Sequence, residues 1–312
     1  MTGEVVVVGD LLLDRDIIGV ADRLCPDAPV PVLTEMGTTQ RPGGAGLAAT
    51  FLCLDGLDVV LVGAIGTNEA GDTARAMLEN TGVGLVEIPY DGDTPEKIRL
   101  KAGRHPLLRL DRGVAVGRFG DLPVDAVDAM RAASAVLVSD YGRGVTAMPS
   151  VRRVLADVAR HTPVIWDPHP QGATPVLGAI LACPNRSEAA AFSAAQGADL
   201  NGRPVLNPAA VAAEARLLRS VWRVGAVAVT MGPEGAMLAE ADLVPVTIAA
   251  PVNHQGDTCG AGDRFAAAAT LGLARGHTVR AAVAEAVAAA SHYVETNGLA
   301  GIGSELAMEA TT

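Results

Sequence analysis

Apolar positions along the chain fall into short unbroken runs, separated by longer stretches in which alanine and leucine recur every three or four residues. The runs Glu4–Val8, Val59–Gly63, Ala135–Ser139, Pro163–Asp167, Ile180–Cys183 and Ala226–Thr230 are rich in valine and isoleucine, and several show no polar alternation. A strand with no polar face has no solvent side, so these runs predict strands covered by helices above and below. Between them the spacing predicts helices at 45–55, 70–80, 122–133, 148–160, 187–196, 207–223, 261–275 and 278–296. Strands and helices alternating in this order predict a doubly wound α/β fold around a mainly parallel sheet.

Two stretches break the alternation. Asp16–Met36 and Val86–Asp111 carry strand-like pieces (IIGV, PVPVL, EKIRLK, PLLRLD) with no helix between them. Pro26, Pro29 and Pro31 mark the first as an edge or lid element, because proline cannot donate to a sheet ladder. Together they predict a small accessory sheet, a lid over one end of the main sheet, at about residues 15–37 and 86–112. No repeat or linker divides the chain, so residues 1–312 are expected to form one domain, with the tail from Ser304 frayed.

Composition narrows the function classes. The net charge of −11 excludes a broad basic surface for nucleic acid or anionic membrane, although a small phosphorylated ligand needs only a local site. Aromatic residues are 3% of the chain, too few for base-stacking platforms. The only lysines are Lys97 and Lys101. The opening MTGEVVVVGD has too short an apolar run for a signal peptide, and no stretch reaches the roughly 18 apolar residues of a membrane span. Cys25, Cys53, Cys183 and Cys259 form no CxxC pair, which predicts reduced thiols and a cytoplasmic protein.

The sharpest chemical motif is DTCGAGD at Asp257–Asp263. Gly260, Ala261 and Gly262 precede a long helical pattern, and free amides at a helix start make an anion site. Asp263 in the first turn is placed to act as a general base beside a bound phosphate. Alone, the same residues read equally as a tight turn with an acid favouring the helix dipole. GAGLAA at Gly44–Ala49 imitates a dinucleotide fingerprint but follows QRPG rather than a strand. There is no GxxxxGK[ST] loop, and no HExxH or close histidine cluster for a tightly held transition metal.

The companions of this motif change the balance. VVVVGDLLLD, RPGGAG at Arg41–Gly46, PNRSE at Pro184–Glu188, VTMGPEGAML at Val229–Leu238 and DTCGAGD occur in an order that resembles the ribokinase-like, or PfkB-type, carbohydrate kinases. RLCPDAPVPVL at Arg23–Leu33, KIR at Lys97–Arg99, LLRLD at Leu107–Asp111 and SDYGRG at Ser139–Gly144 look most like the heptose-7-phosphate kinases of ADP-heptose synthesis. The resemblance implies a ribokinase-like three-layer α/β/α fold with a mainly parallel sheet and a small β lid. It also implies use of ATP and Mg²⁺, with a monovalent cation as a further candidate. The implied reaction phosphorylates D-glycero-β-D-manno-heptose 7-phosphate at its anomeric hydroxyl. A kinase for another sugar or nucleoside, and a non-catalytic sugar-phosphate-binding protein, remain alternatives.

Carried onto this chain, the resemblance makes Asp263 the catalytic base and Gly260, Ala261 and Gly262 the anion hole. Asn185 and Glu188 match the NxxE pair that organises Mg²⁺ through water; alone they read as a helix cap. Asp14, Gly43 and Gly44 match the sugar grip. Thr230, Gly232 and Gly235 match the ribose and phosphate edge of the ATP site, and Asn297 is an adenine-pocket candidate. Lys97, Arg99 and Arg109 in the lid, with Arg143, are the cations an anionic sugar would need, or a solvated strand face. Leu47 stands where the heptose kinases have asparagine, Cys259 where threonine is usual, and Arg143 and His169 where lysines stand. Bifunctional heptose enzymes carry an adenylyltransferase domain after the kinase, for which this sequence is too short, so that activity is expected from a partner; exposed strand edges of the lid predict a homodimer.

Overall fold

The valine run at the N-terminus explains the layering of the computed structural model, which describes residues 3–103, 105–113, 115–197, 207–251, 256–296 and 298. In strand β1 (Val5–Leu24), Val5 and Val7 enter one hydrophobic core, while Val6 and Val8 enter a second on the opposite face. Alternate side chains of a strand point to opposite faces, so a sheet buried on both sides needs apolar residues at every position. Helices α1 (Ala45–Leu54), α2 (Glu69–Asn80), α7 (Ala261–Ala274) and α8 (Val279–Glu295) cover the first core. Helices α3 (Val124–Ala132), α4 (Pro149–Val158), α5 (Arg186–Ala195) and α6 (Pro208–Trp222) cover the second. The three-layer architecture expected from the periodicity is the one observed.

Along the main sheet the order is β4 (Gly84–Ile88), β3 (Val59–Ala64), β1, β7 (Ala135–Ser139), β8 (Val164–Asp167), β9 (Leu181–Ala182), β10 (Ala226–Thr230), β11 (Ala236–Glu240) and β12 (Val246–Ile248). All neighbours are parallel except β10–β11 and β11–β12. From β1 the chain moves to β3 and β4 on one side and later to β7 on the other, so the carboxyl ends of β1 and β7 part. Open α/β sheets place ligand crevices at this kind of switch point.

The first strand does not stop at Val8. It runs on beyond the main sheet and becomes the centre of a second, small sheet with β2 (Pro31–Gly44, antiparallel) and β5 (Glu96–Ala102, parallel). β6 (His105–Arg112) pairs with β5 on the outer edge. Leu11, Leu12 and Leu13 anchor the crossover because all three are buried. Val86 lies within β4 of the main sheet, so the second strand excursion opens at Glu96 and not at residue 86.

The register gives this small sheet two unlike faces. Asp14 stands opposite Arg41 on β2 and Lys97 on β5, and Asp16 stands opposite Arg99. On the alternate face Ile17 is opposite Leu100, and Leu100 is opposite Leu108. The charged face looks toward the crevice, and the apolar face carries the exposed Leu108 and Leu110. All four cysteines are free thiols. Among the described residues no helix is long and apolar enough to cross a membrane.

Candidate active site

Helix α7 starts at the end of the sheet where the crevice opens. Its N-cap, Gly260, is left-handed at φ 84°, a conformation that strains any residue with a Cβ. The Ala261 N–H turns back to the Thr258 carbonyl at 3.1 Å, and no neighbouring element comes within 4 Å of where a Cβ on Gly262 would point. That opening faces a cavity of about 150 Å³. The hydroxyl of Tyr293 holds the preceding turn through the Cys259 carbonyl at 2.7 Å.

Asp263 is only 6% exposed. Burial pushes its carboxyl up to about 7, and the nearby Asp14 adds to the rise. A hydrogen bond from Tyr141 and the charge of Lys97 work the other way. The Tyr141 hydroxyl donates to Oδ1 at 2.8 Å. A carboxylate poised near neutrality is matched to taking a hydroxyl proton at physiological pH.

On one side of Asp263 lies the charged face of the small sheet. Asp14, 5% exposed, accepts from Arg99 Nη1 at 3.1 Å, with Arg41 Nε at 3.9 Å. Gly43 is where the backbone must come close, since a Cβ there would lie 2.9 Å from Asp14 Oδ2. Gly44 follows at the end of β2 and bends the chain into α1. Asp16 is bound by Arg41 at 3.1 Å and Lys101 at 3.0 Å. Burial would raise its pKa, but these two cations outweigh it and hold the carboxyl below the usual range. Lys97, Arg109 and Arg143 meet in a cavity of about 360 Å³, together with Arg112, Tyr141 and His169. Burial pulls the Lys97 ammonium below the ordinary lysine range, and Asp14 and Asp263 oppose that pull. Arg109 is held by Asp111 in a forked pair at 2.8 and 2.9 Å, and Arg143 donates to the Gly113 carbonyl at 2.7 Å. Arg99 sits deeper, on the aspartates rather than in the cavity lining.

On the other side the walls are backbone and apolar atoms. Thr230, Gly232, Gly235, Ala261 and Gly262 line the 150 Å³ cavity with Pro233, Phe265, Val287 and Val294. Asn185 and Glu188 form a reciprocal cap on α5: Asn185 Oδ1 accepts the Glu188 N–H at 3.0 Å, and Glu188 Oε2 accepts the Asn185 N–H at 2.8 Å. A parallel bridge pairs Asn185 with Thr230, bringing the cap to the cavity rim. Asn297 lies outside the described residues. Leu47, at the position expected to bear on the sugar, is buried in the hydrophobic core beneath α1.

Several residues at the site were not singled out from sequence. Asp10 accepts the backbone N–H groups of Tyr141, Arg143 and Val145 at 2.8–3.1 Å, pinning the SDYGRG loop. Asp140 fixes the same loop through the Gly142 and Ala173 amides and the Thr146 hydroxyl. Asp167, at the end of β8, has its pKa raised well above the usual range by burial and by Asp263, Glu188 and Asp140. His169 stacks on Tyr141 with 13° between the rings, more intimate than a loop position suggests. The SDYGRG and WDPHP strings sit at strand ends, which was the available signal, but only the cations in them advertise chemistry.

Comparison with known proteins bears on the same features. The family described as pfkB family carbohydrate kinase matches residues 2–304. The bifunctional protein HldE of Streptomyces coelicolor is 46% identical over 98% of this chain and 64% of its own length. The bifunctional protein HldE of a Caulobacter strain is 37% identical over 87% of this chain and 55% of its own. The chain thus spans less than two thirds of these relatives. Among solved structures, Cryptococcus neoformans ribokinase in complex with ADP aligns with a TM-score of 0.72 at 20% identity, covering 98% of this chain and 99% of that one. Arabidopsis thaliana ribokinase complexed with ribose and ATP aligns at 0.70 and 19%, covering 96% and 94%.

Proposed function

The chain belongs to the pfkB family of carbohydrate kinases, and from that premise we propose that it transfers the γ-phosphoryl group of ATP to the anomeric hydroxyl of D-glycero-β-D-manno-heptose 7-phosphate. The observation that carries the substrate choice is the cation-lined cavity of Lys97, Arg109, Arg112 and Arg143, one aromatic ring away from Asp263. A neutral sugar has no use for four cations there. A sugar with a phosphate at the end remote from the reacting hydroxyl does. The similarity to two HldE proteins supports the same reading.

In this mechanism Asp14 accepts sugar hydroxyls beside the bare backbone of Gly43, and the cation cavity holds the remote phosphate. Asp263 takes the anomeric proton as that oxygen bonds to the γ-phosphorus and the bond to the β-phosphate oxygen breaks, releasing ADP. The amides of Gly260 and Gly262 at the start of α7 receive the charge on the transferring group, while the Ala261 N–H, expected to join them, is held by the Thr258 carbonyl. The apolar cavity by Gly232 and Gly235 takes the nucleoside.

Mg²⁺ fits the acidic end of the site. Burial raises the Asp167 and Glu188 carboxyls, and Asp263, Glu188 and Asp140 add to the rise at Asp167, a crowding of acids whose charge a divalent cation offsets. Among the described residues no three His, Cys, Asp or Glu side chains close on one point, so Glu188 and Asn185 would hold the ion through its waters. When bound it neutralises charge on the phosphate oxygens.

ADP release measured across a panel of heptose 7-phosphate, ribose, fructose 6-phosphate and nucleosides tests the assignment. A strong preference for heptose 7-phosphate is expected. Preference for an unphosphorylated sugar overturns it, and the buried Leu47 makes another sugar phosphate the informative competitor. We also propose that the exposed face around Leu108 pairs with a second copy of the chain. Sedimentation should give a dimer, and Leu108→Asp a monomer; a monomeric unmodified protein rules this out.

A further inference from the structure

Tyr141 lines the cation cavity with its ring and reaches Asp263 with its hydroxyl, so it joins the two. Its hydroxyl reaches Asp263 Oδ1 at 2.8 Å, Lys97 Nζ stands 4.6 Å from its ring centroid, and His169 stacks on the ring with centroids 6.4 Å apart. The loop bearing it is pinned from both sides by the buried carboxylates of Asp10 and Asp140. We infer that Tyr141 is the positioning residue of the transfer step: its hydroxyl fixes Asp263 through Oδ1, so that Oδ2 takes the sugar proton, and its ring is the wall shared with the sugar-phosphate cavity. This rests on the reading of Asp263 as the base.

The direction of the hydrogen bond is settled by charge. Burial and the neighbouring Asp263 push the phenol pKa well above its ordinary value, so the hydroxyl remains protonated and donates. Donation favours the ionised carboxylate, as does Lys97 on β5. Burial opposes ionisation, as do Asp14 on β1 and, through like charge, Asp167 at the end of β8. Tyr293 on α8 also lies within electrostatic reach of Asp263. Of the side chains favouring the charged base, Tyr141 holds it directly, at one oxygen and 2.8 Å. An unheld carboxylate samples rotamers that misplace the accepting oxygen, which costs rate without costing substrate affinity.

Tyr141→Phe removes the hydroxyl and keeps the ring. The profile of kcat/KM against pH, from 5.5 to 9.5, is the readout, with thermal midpoint and ATP affinity as checks on folding. The acid limb should move up by about one pH unit, giving about tenfold loss at pH 6 and under about threefold at pH 9, with KM for heptose 7-phosphate nearly unchanged. Tyr141→Leu, which also removes the ring, should raise that KM about tenfold in addition. A profile superimposable on that of the unmodified protein, or a loss carried by KM alone, overturns the inference; an added uniform loss of kcat with thermal midpoint and ATP affinity intact is what a misplaced carboxylate gives and supports it. An unmodified protein with no sugar-dependent ADP release overturns the kinase reading itself, and this inference with it.

Discussion

The two cavities flanking Asp263 are built on opposite principles. Toward the small sheet the walls are long charged side chains on strands: Lys97, Arg109 and Arg112, faced by Glu96 and Asp111. Toward α7 and α8 they are glycines, alanines and apolar side chains, with Thr230, Thr258 and Ser291 as the polar exceptions. Charge recognises a phosphate by point contacts, each separable by mutation. Backbone amides and apolar surface recognise a nucleotide by shape, and there a substitution acts by adding atoms rather than removing them. Asp263 belongs to both sides: it stands in the first turn of α7, and Lys97 and Asp14 act on its carboxyl in opposite senses.

The hardest blow to this division falls on the shared residue. Asp263→Asn keeps volume and hydrogen bonding but cannot accept the proton, so kcat should fall about 10³-fold or more with ATP affinity retained. Equilibrium binding of ATP and steady-state turnover together check this. Full activity would falsify the assignment of the base. The next largest effect separates the sides: Lys97→Met should raise KM for the sugar phosphate about 10- to 100-fold and leave KM for ATP unchanged. Equal changes in both constants would show that the cation does not read the sugar.

The converse variant works by addition. No neighbouring element comes within 4 Å of a Cβ at Gly262, so Gly262→Val is expected to fold and to project methyl groups into the space proposed for the transferring phosphate. ATP should bind about tenfold more weakly, with sugar-phosphate affinity intact. Calorimetric titration of each ligand distinguishes this from a general loss of structure.

The same contrast governs what the sequence exposes. Strand and helix positions were legible because burial on both faces leaves unbroken valine runs and helical spacing, as at Val5–Val8 and Ala261–Ala274. The charged wall was legible because both lysines of a lysine-poor chain fall in one strand. The continuation of β1 into the small sheet was not, since GDLLLD reads as a strand end followed by a turn. The partition of residues 84–112 was missed too, because β4 and β5 have similar apolar content and only pairing tells them apart. Tyr141, Asp10 and Asp140 were hidden for a third reason. Their roles lie in contacts 33 to 133 residues distant, and no spacing rule reports those.

The last expected effect concerns stability rather than turnover, and it sets the shared carboxylate of Asp263 against Asp16 on the small sheet. Asp263 has its pKa raised from 3.8 to about 7, so between those values the folded protein holds a proton that the unfolded chain has released. Its contribution is therefore most favourable below the unfolded value and is lost as pH rises toward 7, by at most about 4 kcal/mol. Asn cannot ionise, so the stability of Asp263→Asn relative to the unmodified protein should rise between pH 4 and 7 and then level off. Asp16, whose pKa the cations hold low, behaves oppositely: its contribution is present above 3.8 and disappears as pH falls through its folded value. Asp16→Asn should accordingly cost stability at pH 7 and progressively less in acid. Urea unfolding of Asp263→Asn at pH 4, 5, 6, 7 and 8, and of Asp16→Asn at pH 2, 3, 4 and 5, measures the two slopes, and slopes of the same sign would break the distinction between a buried carboxyl raised by its surroundings and a satisfied structural acid.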